Sequence, residues 1–559
     1  MKPSQRLSAI VFLALACAVL APAGKLLAHE EGGSADAGHV PARVLGHISF
    51  PTMTRSEEAQ AAFIQGMLLL HLFEYPYARE QFLEAQRLDP DFAMAYWGEA
   101  MTFNHPIWDQ QNLAAARSAL AKLGATPAER LEKTPSAREK GLLAALDVLY
   151  GQGTKAQRDA SYMRAMEQLA ARFPEDPEIR LFYALSLLGV NAGVRDTATY
   201  MMATAIAQEV FCQNPDHPGA AHYLIHGVDD PLHAVLGLRA ARALARMAPD
   251  AGHAQHMASH IFTALGMWDD VVSANEAAVK VQNSMREEHG LSARHWGHYN
   301  FWLLYGYLQQ GRTVQARELL TSAYAEAEAA DSAPEDPMAL DPDSSLVGSV
   351  VQMWTRYLVE TRDLNGDLSN WSFKSGKAYD PNLNISFVKT LQATQSGLVA
   401  QAGQYQSQFR ALKSELEEAV SKLEEKPPST QQYLDRLAVM DLLLSAAIEE
   451  ARGETGKAIE LAGQASEREG SMPYSFGPPF IDLPSAEMLG ELLLKARRYD
   501  EAARAFEIQL KRSRLKPRSL VGLIQSLDAT GSEAEAAYHR ETLQRLRGSA
   551  DDSVKVSLP

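Results

Sequence analysis

Cysteine is almost missing from these 559 residues: the chain has two, Cys17 and Cys212. A lone cysteine beyond the N-terminal segment cannot close an internal disulfide, so packing must hold the fold together. Positive charge is also in short supply. Lys and Arg number 53 against 69 acids, giving a formal net charge of -16, and no long Lys/Arg run occurs. A nucleic-acid binder needs a basic face, so nucleic acid is set aside as a partner. Beyond the N-terminal segment no stretch is apolar enough to cross a bilayer, and no transmembrane segment is expected. Alternating strand patterns are absent. So are the G-x-S-x-G elbow, the phosphate loop and the H-E-x-x-H signature of metalloproteases.

The N-terminus carries Lys2 and Arg6, then an apolar run from Ile10 to Val19, then small residues at Ala21, Ala23 and Ala28. That order is a secretory signal, with cleavage after Ala23 or Ala28. A lipid anchor at Cys17 competes with it, but Ala14 stands where a lipid-anchor signal favours Leu. Export places the mature chain in the periplasm or outside the cell. If cleavage follows Ala28, His29 becomes the N-terminal residue, a position some copper sites use.

The rest is rich in Ala and Leu at helical spacing, and it repeats. From Ala59 as position 1, Gly66, Leu69, Ala78, Phe82 and Pro90 fall on the marker positions of the 34-residue tetratricopeptide (TPR) pattern. Leu489, Gly490, Leu493, Ala502 and Phe506 fit the same frame. Segments 266–278 and 311–323 read as further second helices of such pairs. One helix pair cannot bury its apolar face alone, so pairs must stack. The fold class expected is all-α, a TPR-like α-solenoid of stacked antiparallel helix pairs.

The expected divisions are a signal peptide at 1–28 and a flexible lead-in at 29–55. A TPR array with a His-rich groove follows at 56–325, then an irregular helical middle at 326–430. A C-terminal TPR group at 431–547 and a disordered tail at 548–559 complete the chain. Residues 326–346 are acidic and Pro-rich, which predicts a surface loop. Residues 470–485 also break the array, with four Pro and interspersed aromatics. The charges from Tyr405 to Glu425 predict a solvated helix.

Histidine is concentrated in one place. Residues 215–226 (PDHPGAAHYLIH) and 249–260 (PDAGHAQHMASH) share the pattern P-D-x3-A-x-H-x3-H. His222 pairs with His256, and His226 with His260, at the TPR period. Side chains at i and i+4 share a helix face. Two such pairs should therefore project from neighbouring first helices, whose axes lie about 8–10 Å apart. A His pair at i, i+4 can grip one metal ion. His222, His226, His256 and His260 are thus expected to converge on one ion of the zinc, copper or iron class. His253, His295, His298, Asp229, Asp230 and Glu276 are the candidates for added ligands or outer partners. A metalloenzyme is one form of this reading.

Two competing readings are a polar groove for an organic ligand and a structural hydrogen-bonded cluster. A second class of function is a non-catalytic scaffold that docks a protein or peptide in the concave groove. Trp97, Asn104, His105 and Trp108 form an aromatic-polar cluster that either caps a turn or lines the same groove. His71 reads as a packed core histidine.

Together these motifs resemble the TPR superfamily. More closely, the chain is similar to exported bacterial TPR proteins with a central HYLIH…HMASHIF block and a late GPP…ELLLKARRYDEAARAFE segment. That resemblance implies the fold and export, and no particular reaction.

Overall fold

The computed structural model describes residues 43–551 apart from 192–194, 331–333, 335, 424–425 and 427. The expected leader, Cys17 and His29 lie outside the described residues. Within them are 24 α-helices and one ladder of two residues per strand, Asn104–His105 against Gln110–Gln111. Consecutive helices pack pairwise from Glu57 to Leu546, so the described chain is the all-α solenoid of stacked helix pairs expected from its pattern. No helix among the described residues is long and apolar enough to cross a membrane.

The consensus residues do what the repeat requires. Phe82 is fully buried between two glycine-bearing helices, and a Cβ at Gly66 would stand 2.7 Å from its ring. Gly98, on the next first helix, closes on the same ring from the other side. Phe506 repeats the wedge between Gly490 and Gly522. Large and small residues thus alternate across each joint, and a Cβ at any of these glycines would force the pair apart.

The segment expected as a flexible lead-in differs from that expectation where it is described. Leu45, Ile48 and Phe50 are buried, because residues 43–55 strap across the first repeats. His47 N–H donates to Asp216 O at 2.9 Å, and Met53 N–H to Glu139 Oε1 at 2.9 Å. At the other end, residues 548–551 of the expected tail are docked. Asp551 N–H donates to Gly311 O at 3.1 Å, and its carboxylate accepts from Thr313 Oγ1 at 2.7 Å.

The coil also closes at Trp268, whose Nε1–H donates to Leu515 O at 3.1 Å. Next to it, Gly266 ends the Gly252–Leu265 helix with φ 72°. A Cβ there would lie 2.6 Å from Arg514 O. Gly266→Ala should therefore cost at least ~1 kcal/mol, from the left-handed backbone and the clash together. Urea denaturation of the variant checks this, and an unchanged midpoint would contradict the closed coil.

Candidate metal centre

The histidines lie on three first helices: Pro218–Gly227, Gly252–Leu265 and His298–Gln310. The Pro218–Gly227 helix is only 10 residues long and is buried on every side. Pro218 sits at its first turn, where a missing N–H costs nothing. His217 caps it, its Nδ1 accepting from Ala220 N–H at 3.4 Å. Gly219 lets this helix approach His71 closely, where a Cβ would fall against the ring. The Gly252–Leu265 helix is also almost wholly buried, and Glu74 Oε1 accepts from His253 N–H at its start. Helices buried all round have no solvated face on which to spend polar side chains. Four histidines on two such helices therefore need a chemical reason.

His222, His226, His256 and His260 are all 5% exposed or less. They do not form one four-imidazole group. They divide into two triads, His222–His226–His253 and His256–His260–His298, and within each triad one ligand atom per residue lies within 4.8 Å of the others. The reason is that each i, i+4 pair closes on itself: Nε2 to Nε2 is 3.1 Å in the first and 3.0 Å in the second. His253, one turn before His256, turns back to the first pair. His298 opens the next first helix and completes the second.

Hydrogen bonds fix the tautomers in the second triad. His256 Nδ1–H donates to Asn275 Oδ1 at 2.7 Å. Asn275 is itself oriented, since its Nδ2 donates to Val271 O. His260 Nδ1–H donates to Asp229 Oδ2 at 2.5 Å, and His298 Nδ1–H to Asp343 Oδ2 at 2.9 Å. With all three Nδ1 atoms committed as donors, each neutral ring offers Nε2 as a lone pair. Two of those nitrogens face each other at 3.0 Å, a separation that a shared proton or a metal ion between them would bridge. In the first triad His222 Nδ1–H donates to His71 O at 2.7 Å, again freeing Nε2. His253 Nε2 is buried and has no hydrogen-bond partner among the described residues.

Burial keeps four of these rings, His222, His226, His253 and His256, neutral. It pushes the pKa of His222 down to about 3, against a weaker upward pull from the His71 carbonyl. Burial likewise drives His226, His253 and His256 well below the ordinary imidazole value, with neighbouring histidines adding to the effect. A neutral imidazole is the ligating form.

A third cluster behaves differently. Glu178 accepts from His71 Nε2–H at 2.7 Å and from His217 Nε2–H at 3.2 Å, while Tyr223 O–H donates to His71 Nδ1 at 2.9 Å. Every ring nitrogen here has a partner, with His217 Nδ1 taken by its capping bond. This cluster is a buried cross-link between the helices Glu57–His71, Pro177–Gly189 and Pro218–Gly227. The expectation of a packed His71 corresponds to it.

The remaining candidates lie apart. His295 bonds Glu326, and its side chain is 42% exposed. Asp230 pairs with His233 and Arg195. Glu276 is on the surface, accepting from Tyr307 O–H. Asp229 is the predicted acid that does stand behind a triad.

The groove expected around the imidazoles is filled by aromatic side chains. Phe73 covers the first triad, its ring centroid 4.3 Å from that of His222. Trp302 lies 4.4 Å from His260, and Phe476 lies 5.3 Å from the same ring. Phe476 belongs to the Pro-rich break, which folds inward against Trp302 at Gly477. Arg356 holds it through Asp482 at 3.0 Å, and Arg436 grips the same carboxylate at 3.2 Å. Of the aromatic-polar cluster, Trp108 reaches His253 with centroids 5.8 Å apart. His105 stacks on Tyr75, Trp97 packs against Phe182, and Asn104 pairs with Gln111 across the two-residue ladder.

No family model and no curated protein matches the chain. Among solved structures it is similar to the Cut9–Hcn1 tetramer of the APC/C at 12% identity, covering 87% of this chain and 73% of that one, with a TM-score of 0.33. Yeast Tom70 matches at 12% identity over 86% of this chain and 90% of its own, with a TM-score of 0.31. Human IFIT1 with PPP-AAAA matches at 15% identity over 86% and 95%, with a TM-score of 0.33. The helix pairs themselves, rather than these likenesses, define the fold.

Proposed function

We propose that this chain is a metal-binding helical solenoid that holds zinc, copper or iron through buried imidazole Nε2 atoms. The observation that carries this reading is the second triad. Three rings each spend Nδ1 on an acceptor, and one ring nitrogen of each lies within 4.8 Å of the others. Acceptors behind metal-bound histidines fix the ring and raise its basicity. All-nitrogen donor sets of this kind suit late first-row ions. The bound ion would serve as Lewis acid, redox centre or carried cargo, and the partly exposed His298 marks the side from which small molecules would approach. With the leader expected at 1–28, the ion would be acquired in the periplasm or outside the cell.

A peptide-docking scaffold is the competing reading. Phe73, Trp302 and Phe476 occupy the space a peptide would need over the imidazoles, and this favours an ion.

Metal content decides the matter. Purified protein exposed to zinc and then desalted should retain it in stoichiometric amount. His256→Ala and His222→Ala should each lower that content sharply while helix content by circular dichroism stays the same. Full retention in both variants would leave the scaffold reading in its place.

A further inference from the structure

The two triads are close enough to raise a question of number. Within a triad, ring centroids lie 4.8 Å (His222–His226), 5.1 Å (His222–His253) and 4.6 Å (His256–His298) apart. Between triads they are hardly farther: 5.9 Å for His226–His260 and 6.0 Å for His253–His256. One helix serves both, since His253 belongs to the first triad and His256 and His260 to the second. Resting on the metal-binding reading above, we propose that the triads are two halves of one dinuclear centre. Each half takes one ion through three imidazoles, and a single small oxygen donor such as hydroxide bridges the pair.

Ligand count supports this directly. Six imidazoles are more than one ion of the zinc or copper class takes in the tetrahedral sites these metals favour, whereas three per ion leaves a position open on each. Those open positions are where a shared ligand sits in two-metal sites, whose ions stand roughly 3.5–4 Å apart. The orphaned Nε2 of His253 shows that the first triad is not satisfied by hydrogen bonding among its own members.

Charge supports it as well. Six neutral ligands leave the charge of two divalent ions uncompensated in a buried site, which is costly unless acids stand nearby. Asp229 and Asp343 back His260 and His298, Glu74 holds the backbone of His253, and Asp341 lies against Asp343 and within electrostatic reach of His298. These carboxylates sit outside the donor sets, three behind the second half and Glu74 at the first, so they can balance a pair of cations. Phe73 on one side and Trp302 with Phe476 on the other leave apolar walls, which limits the bridging ligand to a few atoms.

Copper(II) is the probe, because its unpaired electron reports pairing. Chelator-stripped full-length protein is loaded with copper(II) and desalted, then assayed for copper content and for spin count by electron paramagnetic resonance. The expected result is two copper ions per chain with a spin count near zero, since bridged copper(II) ions couple antiparallel. His253→Ala and His298→Ala, which trim opposite halves, should each bind one copper with one full spin. His298 is the most exposed of the six, its side chain 27% exposed, so its variant tests the second half with the least risk to the fold. Two coppers with two full spins, or a single copper in the parent protein, would overturn the dinuclear centre and leave metal binding standing. No copper at all would overturn both.

Discussion

Stripped of metal, the protein should lose stability steeply as pH falls below 6.5. An unfolded His222 protonates near 6.5, while in the fold burial keeps it neutral down to about 3. Between those values the unfolded chain binds a proton that the folded chain refuses. Stability is therefore full above 6.5 and drains away as pH falls toward the folded value. At pH 4 the mismatch for this one group is roughly 3 kcal/mol, at about 1.36 kcal/mol per pH unit. His226, His253 and His256 act in the same direction. Urea midpoints of chelator-treated protein between pH 7.5 and 4 measure the effect. His222→Gln, which cannot protonate, should flatten the slope, and an identical slope in parent and variant would mean the ring is not held neutral. Bound metal should shift the loss to lower pH, because protons must then displace the ion as well.

Glu178→Ala should be among the most damaging single changes in the chain, and it should act without touching the two histidine triads. Burial alone would raise the Glu178 carboxyl, but His71 and His217 outweigh it and hold the group below the usual carboxylate range. Glu178, His71 and His217 are all 1% exposed or less. Removing the carboxylate strands two buried N–H donors at once, a loss of about 3–5 kcal/mol for a broken buried pair. Glu178→Gln keeps an acceptor for one of them and should cost less. Urea denaturation at pH 7.5 ranks the two. Glu178→Gln should also retain the parent's copper content; a drop in copper with the helices intact would make the third cluster a metal site, against the assignment given it above.

Much of the fold was legible in the chain because it is local and periodic. The Gly66, Phe82 and Gly98 wedge depends on spacing along one helix pair and the next, and spacing is what a sequence displays. The His register was visible for the same reason. The grouping was not. Whether His222 groups with His256 or with His253 depends on ring orientation across the gap between helices. That orientation is set by acceptors far away in sequence: Asn275, the His71 carbonyl and Asp343. The last of these sits in the acidic segment expected as a surface loop, and nothing in its composition shows that it folds back onto His298. The His253-x2-His256 spacing was a usable signal, since i and i+3 also share a face. Phe476 was hidden for a different reason: a Pro-rich break reads as an exit from the solenoid, and only the Arg356–Asp482–Arg436 grip turns it inward.

Open helical-repeat chains behave like a row of neighbours, each unit leaning only on the next, and their ends fray independently. Here residue 268 bonds residue 515 and residue 311 bonds residue 551, so the last repeats brace the middle of the array. A row joined back on itself has no free end to peel. Loss of the final turn would be felt some 240 positions earlier along the chain. During synthesis the middle repeats must also wait for residues 515 and 551 to leave the ribosome before they gain these braces.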